Sequence, residues 1–157
     1  MSGVYILKKL FLIILTIIIT TTCTVFGATT EEIKQNIIKQ SKEMGIEPAI
    51  MLSIAKTESG FRQDAKGAGG HIGVFQLSGT TAKRMGLNPY DLDDNIKGGI
   101  IYYKNMYEKF GSMELAVAAY NVGPDAIVRH KNTVPTYSKP FVNRIMNNYK
   151  TYKNSGL

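Results

Sequence analysis

The stretch PAIMLSIAKTESGF, Pro48–Phe61, decides how this chain is read. Pro48 suits the first turn of a helix, where its missing N–H costs nothing. The apolar run behind it continues to Ala55. Met51, Ile54 and Glu58 follow i, i+3, i+7 spacing, so Glu58 shares a stripe with core-facing residues. It also falls in the last turn, just before Gly60. Burial disfavours a charged carboxylate and strengthens its hold on a proton. The negative end of the helix dipole pushes the same way. A carboxyl that stays protonated near neutral pH is what a general acid requires, and such groups protonate the leaving oxygen of glycosidic bonds. The competing reading is a carboxylate at a frayed helix end, or one paired with Lys56, Arg62 or Lys66. Structural ion pairs also perturb carboxylates.

Outward from this stretch the chain reads as all-α, with about six or seven helices and no strand pair. Upstream, EEIKQNIIKQSKEMG sets Ile33, Ile37 and Ile38 at helical spacing, with Glu31 and Glu32 in the first turn and Gly45 as the stop. Downstream, Arg62 to Gly79 is glycine-rich and aperiodic, which predicts irregular chain. TTAKRMG predicts a short helix. DDNIKGGIIYYKNMYEKFG predicts a longer one with Ile96, Ile100, Tyr103 and Tyr107 on one stripe and Gly111 after its end. SMELAVAAYN begins with Ser112 as N-cap. DAIVRH gives one or two turns, and PFVNRIMNNYKTY closes the chain with Phe141, Ile145 and Tyr149 four apart.

The N-terminus is of another kind. Lys8 and Lys9 precede LFLIILTIII, Leu10 to Ile19, then a Thr-rich segment ending VFGA at Ala28. A basic start, an apolar run and small residues at the end predict a secretory signal peptide over residues 1–27. The alternative is an uncleaved membrane anchor, because Leu10–Phe26 is at the short edge of what spans a bilayer. Either way, residues 28–157 are expected to be exported as one domain, secreted or wall-associated, with transient membrane association through the N-terminal segment. Cys23 lacks the apolar residue three positions earlier that a lipidated Cys usually has. Removing residues 1–27 leaves 130 residues without Cys, so the domain rests on its core rather than on disulfides. It leaves 17 basic residues against 12 acidic ones, a balance that suits a polyanionic partner such as a cell wall. Nucleic acid fits poorly, since no helix carries a run of Lys/Arg and no aromatic-basic array is present.

Four segments then fall in a telling order: ESGF at Glu58, GVFQL at Gly73, AVAAYNVGP at Ala116 and PTYSKPFV at Pro135. In this order and spacing the chain resembles the soluble-type lytic transglycosylases of the goose-lysozyme-like superfamily, whose pattern is ESGF, GLMQ, AYNxG and an ETxxYV-like segment. The resemblance covers about Ile46 to Tyr149 and implies a single lysozyme-like domain. Glu58 becomes the one catalytic acid/base. Ser59 would help orient substrate, Gln76 would line the glycan cleft, and Tyr120 would hydrogen-bond near Glu58. Asn121 would contact the N-acetylated sugar, and Gly123 would allow the turn behind it. The implied substrate is the glycan strand of peptidoglycan, cut between N-acetylmuramic acid and N-acetylglucosamine by a monomer. Glu58 would protonate the glycosidic oxygen, then take the proton of the muramic 6-hydroxyl as that oxygen closes a 1,6-anhydro ring. An intramolecular nucleophile has a large effective-concentration advantage over water, so neither a second carboxylate nor a cofactor is needed.

Two segments depart from the pattern. GLMQ reads Gly73-Val74-Phe75-Gln76, which leaves the pocket shape open. Aligning Val142 with the last residue of ETxxYV puts Tyr137 at the Glu, Ser138 at the Thr and Phe141 at the Tyr. A hydroxyl is therefore missing unless Tyr137 or Tyr149 supplies one. Of the remaining candidates, His71 reads as a solvated loop residue. Two His and no remaining Cys make zinc a poor fit, and Asp91, Asp93 and Asp94 lack the Gly and closing Glu of a calcium loop. Tyr102, Tyr103 and Tyr107 read as core and helix surface, with one available to stack on a sugar. Two other functions remain in play: a hydrolytic goose-type muramidase with Asp64 as the nearby second acid, and a non-catalytic wall-binding or assembly protein on the same fold.

Overall fold

The computed structural model describes residues 27–156, which form seven α-helices, two short 3-10 turns and one small hairpin. The predicted leader lies outside the described residues except for Gly27. Helix α1, Thr30–Glu43, starts on a capping box in which the Thr29 hydroxyl takes the Glu32 N–H and the Glu32 carboxylate takes the Thr29 N–H. Ile33 and Ile37 are buried, Ile38 packs on the core edge, and Gly45 turns the chain at φ +69°.

Helix α2, Pro48–Glu58, is the pillar of the domain. Ala49 to Ala55 are all buried, so the helix has no solvent face over two turns. Its one polar residue there, Ser53, donates back to the Ala49 carbonyl at 2.6 Å. The sequence predicted a stripe; the structure wraps the helix on all sides, chiefly with α1 and the C-terminal helix. Glu58 stands where the burial ends.

The Gly-rich segment that read as irregular holds an antiparallel hairpin, β1 (His71–Ile72) and β2 (Leu77–Ser78), pairing His71 with Ser78 and Ile72 with Leu77. Two-residue strands leave no periodicity to read. Helix α3, Gly79–Arg84, follows with Ser78 as N-cap. Helix α4, Leu92–Phe110, is capped by Asp91 and ended by Gly111 in the left-handed region. Its buried stripe runs Asn95, Ile96, Gly99, Ile100, Tyr103, Met106. Tyr107, predicted on that stripe, is 43% exposed and stacks on Tyr103, because the buried face continues through Met106 to Phe110 instead.

Helix α5, Met113–Val122, starts at the Ser112 cap and buries Ala116 to Tyr120. Helix α6, Pro124–Arg129, follows directly across Gly123. After a 3-10 turn at Thr136–Ser138, helix α7, Lys139–Asn154, lays Val142 and Ile145 into the core, with Phe141 and Tyr149 at its edge. None of the described helices is long and apolar enough to cross a membrane.

Candidate active site

Behind Glu58 the chain reverses sharply. Gly60 and Phe61 are both left-handed, at φ +65° and +66°. Phe61 has a side chain that resists this conformation by about 1–2 kcal/mol, and burial of its ring offsets the strain. Just before the two lies Ser59, also buried. Its hydroxyl donates to the Val74 carbonyl at 2.8 Å and accepts from the Arg62 N–H at 3.1 Å. Ser59 therefore does not line the cleft as expected. It ties the end of α2 to the hairpin turn.

That turn, Gly73–Gln76, is the GVFQ segment. Gly73 and Gln76 are left-handed at φ +76° and +47°. Side chains from three elements hold its backbone. Asn95 of α4, fully buried, accepts from the Phe75 N–H and donates to the carbonyls of Ile72 and Pro89, each at 2.9 Å. Ser59 holds Val74, and the Tyr120 hydroxyl of α5 donates to the Phe75 carbonyl at 2.8 Å. Buried backbone groups must be paired, so these contacts fix the turn relative to Glu58. A side chain at Gly73 would collide with Asn95 and Gln63, and one at Gly67 would collide with the Gln76 amide.

The result is a cleft of about 400 Å³ whose walls include Glu58, His71, Gln76, Tyr102, Tyr120 and Asn121. Four of the five predicted site residues thus come together. Glu58 is the only carboxylate among the lining residues. Among the described residues no cation lies within ion-pair distance of it and no side chain hydrogen-bonds to it. Desolvation pushes its proton affinity up from 4.5 to about 7, opposed by attraction to His71. Tyr120 is held neutral by burial and by the neighbouring Glu58. Gln76 turns its Nε2 inward, to the carbonyls of Gly73 at 2.9 Å and Ala65 at 3.3 Å. Asn121 accepts from Ser138 at 3.1 Å through Oδ1, and none of the hydrogen bonds found among the described residues uses its Nδ2. It lies inside α5; Gly123, at φ +82°, takes the cap position.

Three residues gain meaning that the sequence did not give them. His71 is exposed, as predicted, yet it borders the cleft, with Nδ1 2.7 Å from the Ala68 carbonyl. Tyr102 packs edge-on to Tyr120 at 5.1 Å and brings a phenol to the cleft. The departure at Phe141 had left that hydroxyl open to Tyr137 or Tyr149. Neither supplies it: Tyr149 donates to Glu47 at 2.7 Å, and Tyr137 is 64% exposed against His130. Asn95 sits in a helix start that read as solvated charge. Asp64 lines a separate cavity with Arg62, Lys66 and Tyr90, away from Glu58. No cluster of metal ligands occurs among the described residues.

Fold and site together define a lysozyme-like helical domain with one desolvated acid at a helix end over a polar cleft. Residues 35–141 match the transglycosylase SLT domain, and the chain belongs to that family. It is similar in structure to an inactive mutant of the lytic transglycosylase Slt from Pseudomonas aeruginosa, with a TM-score of 0.70 at 23% identity over 78% of this chain. It is similar also to the 70 kDa soluble lytic transglycosylase of Escherichia coli, with a TM-score of 0.67 at 21% identity over 76% of this chain. In each case it spans 24% of the larger protein. A transglycosylase of the Enterobacteria phage PRD1 is 30% identical over 84 residues, 53% of this chain and 32% of the phage protein.

Proposed function

We propose that this domain is a peptidoglycan lytic transglycosylase, with Glu58 as its single acid/base. One observation carries the reading: the cleft has one carboxylate, desolvated, free of any ion pair among the described residues, and with a proton affinity of about 7. Such a group is part protonated and part ionised at neutral pH, which suits a residue that gives a proton and then takes one back. Glu58 protonates the oxygen linking N-acetylmuramic acid to N-acetylglucosamine, and that bond breaks. The muramic acetamido group steadies the positive anomeric carbon, as in substrate-assisted glycosidases. The muramic 6-oxygen then attacks this carbon and its proton passes to Glu58, which regenerates the acid. Asn121 offers its Nδ2 to an acetamido carbonyl, and Tyr102 offers a hydroxyl. We also propose that residues 1–27 direct the domain out of the cytoplasm, where it acts as a monomer.

The test is the product. Digested peptidoglycan should yield muropeptides one water lighter than hydrolysis products and resistant to borohydride. Glu58→Gln should lower turnover at least about 10²–10⁴-fold without loss of fold. Reducible muramic ends from the wild type would instead favour the muramidase reading. Wall binding with no soluble fragments would favour a non-catalytic protein.

A further inference from the structure

The Glu58 cleft is the size of a small-molecule site, whereas the proposed substrate is a polymer that must run past its ends. Asn121 and Gly123 form part of the cleft wall. Against it lies the Thr136–Ser138 turn, whose position is set by Ser138. That side chain is fully buried and donates to Asn121 Oδ1 at 3.1 Å. The next residue back, Tyr137, is 64% exposed. Its ring is braced edge-on by His130, with centroids 5.8 Å apart and planes at 71°. Val128, two residues before His130, is 53% exposed.

Four large apolar side chains are notably exposed among the described residues, and Tyr137 is one of them. An aromatic ring held open to water by a second ring is poorly explained by folding, since its burial would be favourable by about 1.5–3 kcal/mol. It suits a ligand with one apolar face and a hydroxylated rim, and a pyranose ring is such a ligand.

We propose that Tyr137, braced by His130, is a sugar-stacking platform that binds the glycan strand outside the cleft, beside its Asn121 wall. The proposal rests on the glycan-cleaving reading of the cleft. Its ligand is a pyranose of an N-acetylated β-1,4 glycan, held by its C–H face. The platform takes no part in bond cleavage. It adds affinity for strands long enough to reach it, and so favours cleavage inside or near the end of a long strand over cleavage of short fragments.

The test compares Tyr137→Ala, Tyr137→Phe and wild type on long peptide-free glycan strands and on a tetrasaccharide of the same repeat. For Tyr137→Ala, KM on long strands should rise about tenfold with kcat unchanged, the effect of losing ~1.4 kcal/mol of binding. The tetrasaccharide should show no change, and Tyr137→Phe should behave as wild type on both. An equal loss on both substrates, a fall in kcat, or no change on long strands would overturn the platform. If wild type cleaves neither substrate, the catalytic reading fails by itself, and the platform is then read by co-sedimentation with long strands. There, Tyr137→Ala should weaken binding about tenfold while Tyr137→Phe keeps it, and equal binding by all three proteins would overturn the platform.

Discussion

Replacing Glu58 by Gln should stabilise the folded domain at pH 8 and leave it unchanged at pH 4. Folding raises the proton affinity of Glu58 from 4.5 to about 7 by desolvating it. Between those two pH values the folded state binds more proton than the unfolded state, so stability falls as pH rises through the window. This contribution is fully present below pH 4.5, is lost as pH passes about 7, and is flat above that. At about 1.36 kcal/mol per pH unit, the ionised carboxylate costs the fold on the order of 3 kcal/mol. Solvent on the cleft side trims this to about 2–3 kcal/mol. Gln has the same shape and carries no charge at any pH. For a domain of this size the gain should appear as a rise in Tm of roughly 6–15 °C at pH 8. Calorimetric melts of both proteins at pH 4 and pH 8 make the comparison. A Tm difference that is the same at both pH values, or a wild type that melts higher at pH 8, would refute the reasoning. Glu58 would then be a satisfied carboxylate, and any loss of activity on its mutation would need another cause.

Activity should fall as pH rises through about 7, because the proposed first step needs protonated Glu58. His71, when charged, favours the ionised carboxylate, so His71→Ala should move that alkaline limb of kcat/KM to higher pH. Asn95→Ala removes the side-chain partner of the Phe75 N–H and one donor each from the Ile72 and Pro89 carbonyls, the second of which keeps Gln63, and denaturant melts should show a loss of about 1–3 kcal/mol. Ser59→Ala frees the buried Val74 carbonyl; it should cost about 1–3 kcal/mol and lower kcat through a displaced turn, while wall binding measured by co-sedimentation stays intact.

Helices were readable where one residue type has one dominant physical use. Ser112 caps, Gly111 terminates, and Ile33 and Ile37 bury, each as expected. Glu58 was readable because a carboxylate at the end of an apolar helix conflicts with its surroundings, and such conflicts mark function. What stayed hidden depends on contacts far apart in sequence. Ser59 looks like a substrate-facing hydroxyl until Val74 folds over it. Asn95 looks solvated beside two aspartates until the turn closes on it. His71 and Tyr102 reach the cleft only because the hairpin and α4 meet there, and the hairpin itself has strands too short to leave a pattern.

The packing behind the cleft also constrains how it can change. Phe75 stands where the family pattern has Met, and its ring lies against Gly99 of α4, where any β-carbon would overlap it. The ring on the turn and the bare position on the helix therefore fit one another. Gly99→Ala alone meets the ring, and Phe75→Met alone opens a void, but the pair together can restore the fit. The two sites are epistatic. A lineage or a designer wishing to reshape this cleft must cross a destabilised single mutant to do so, and the bare helix position is the half easily overlooked, because it holds nothing to see.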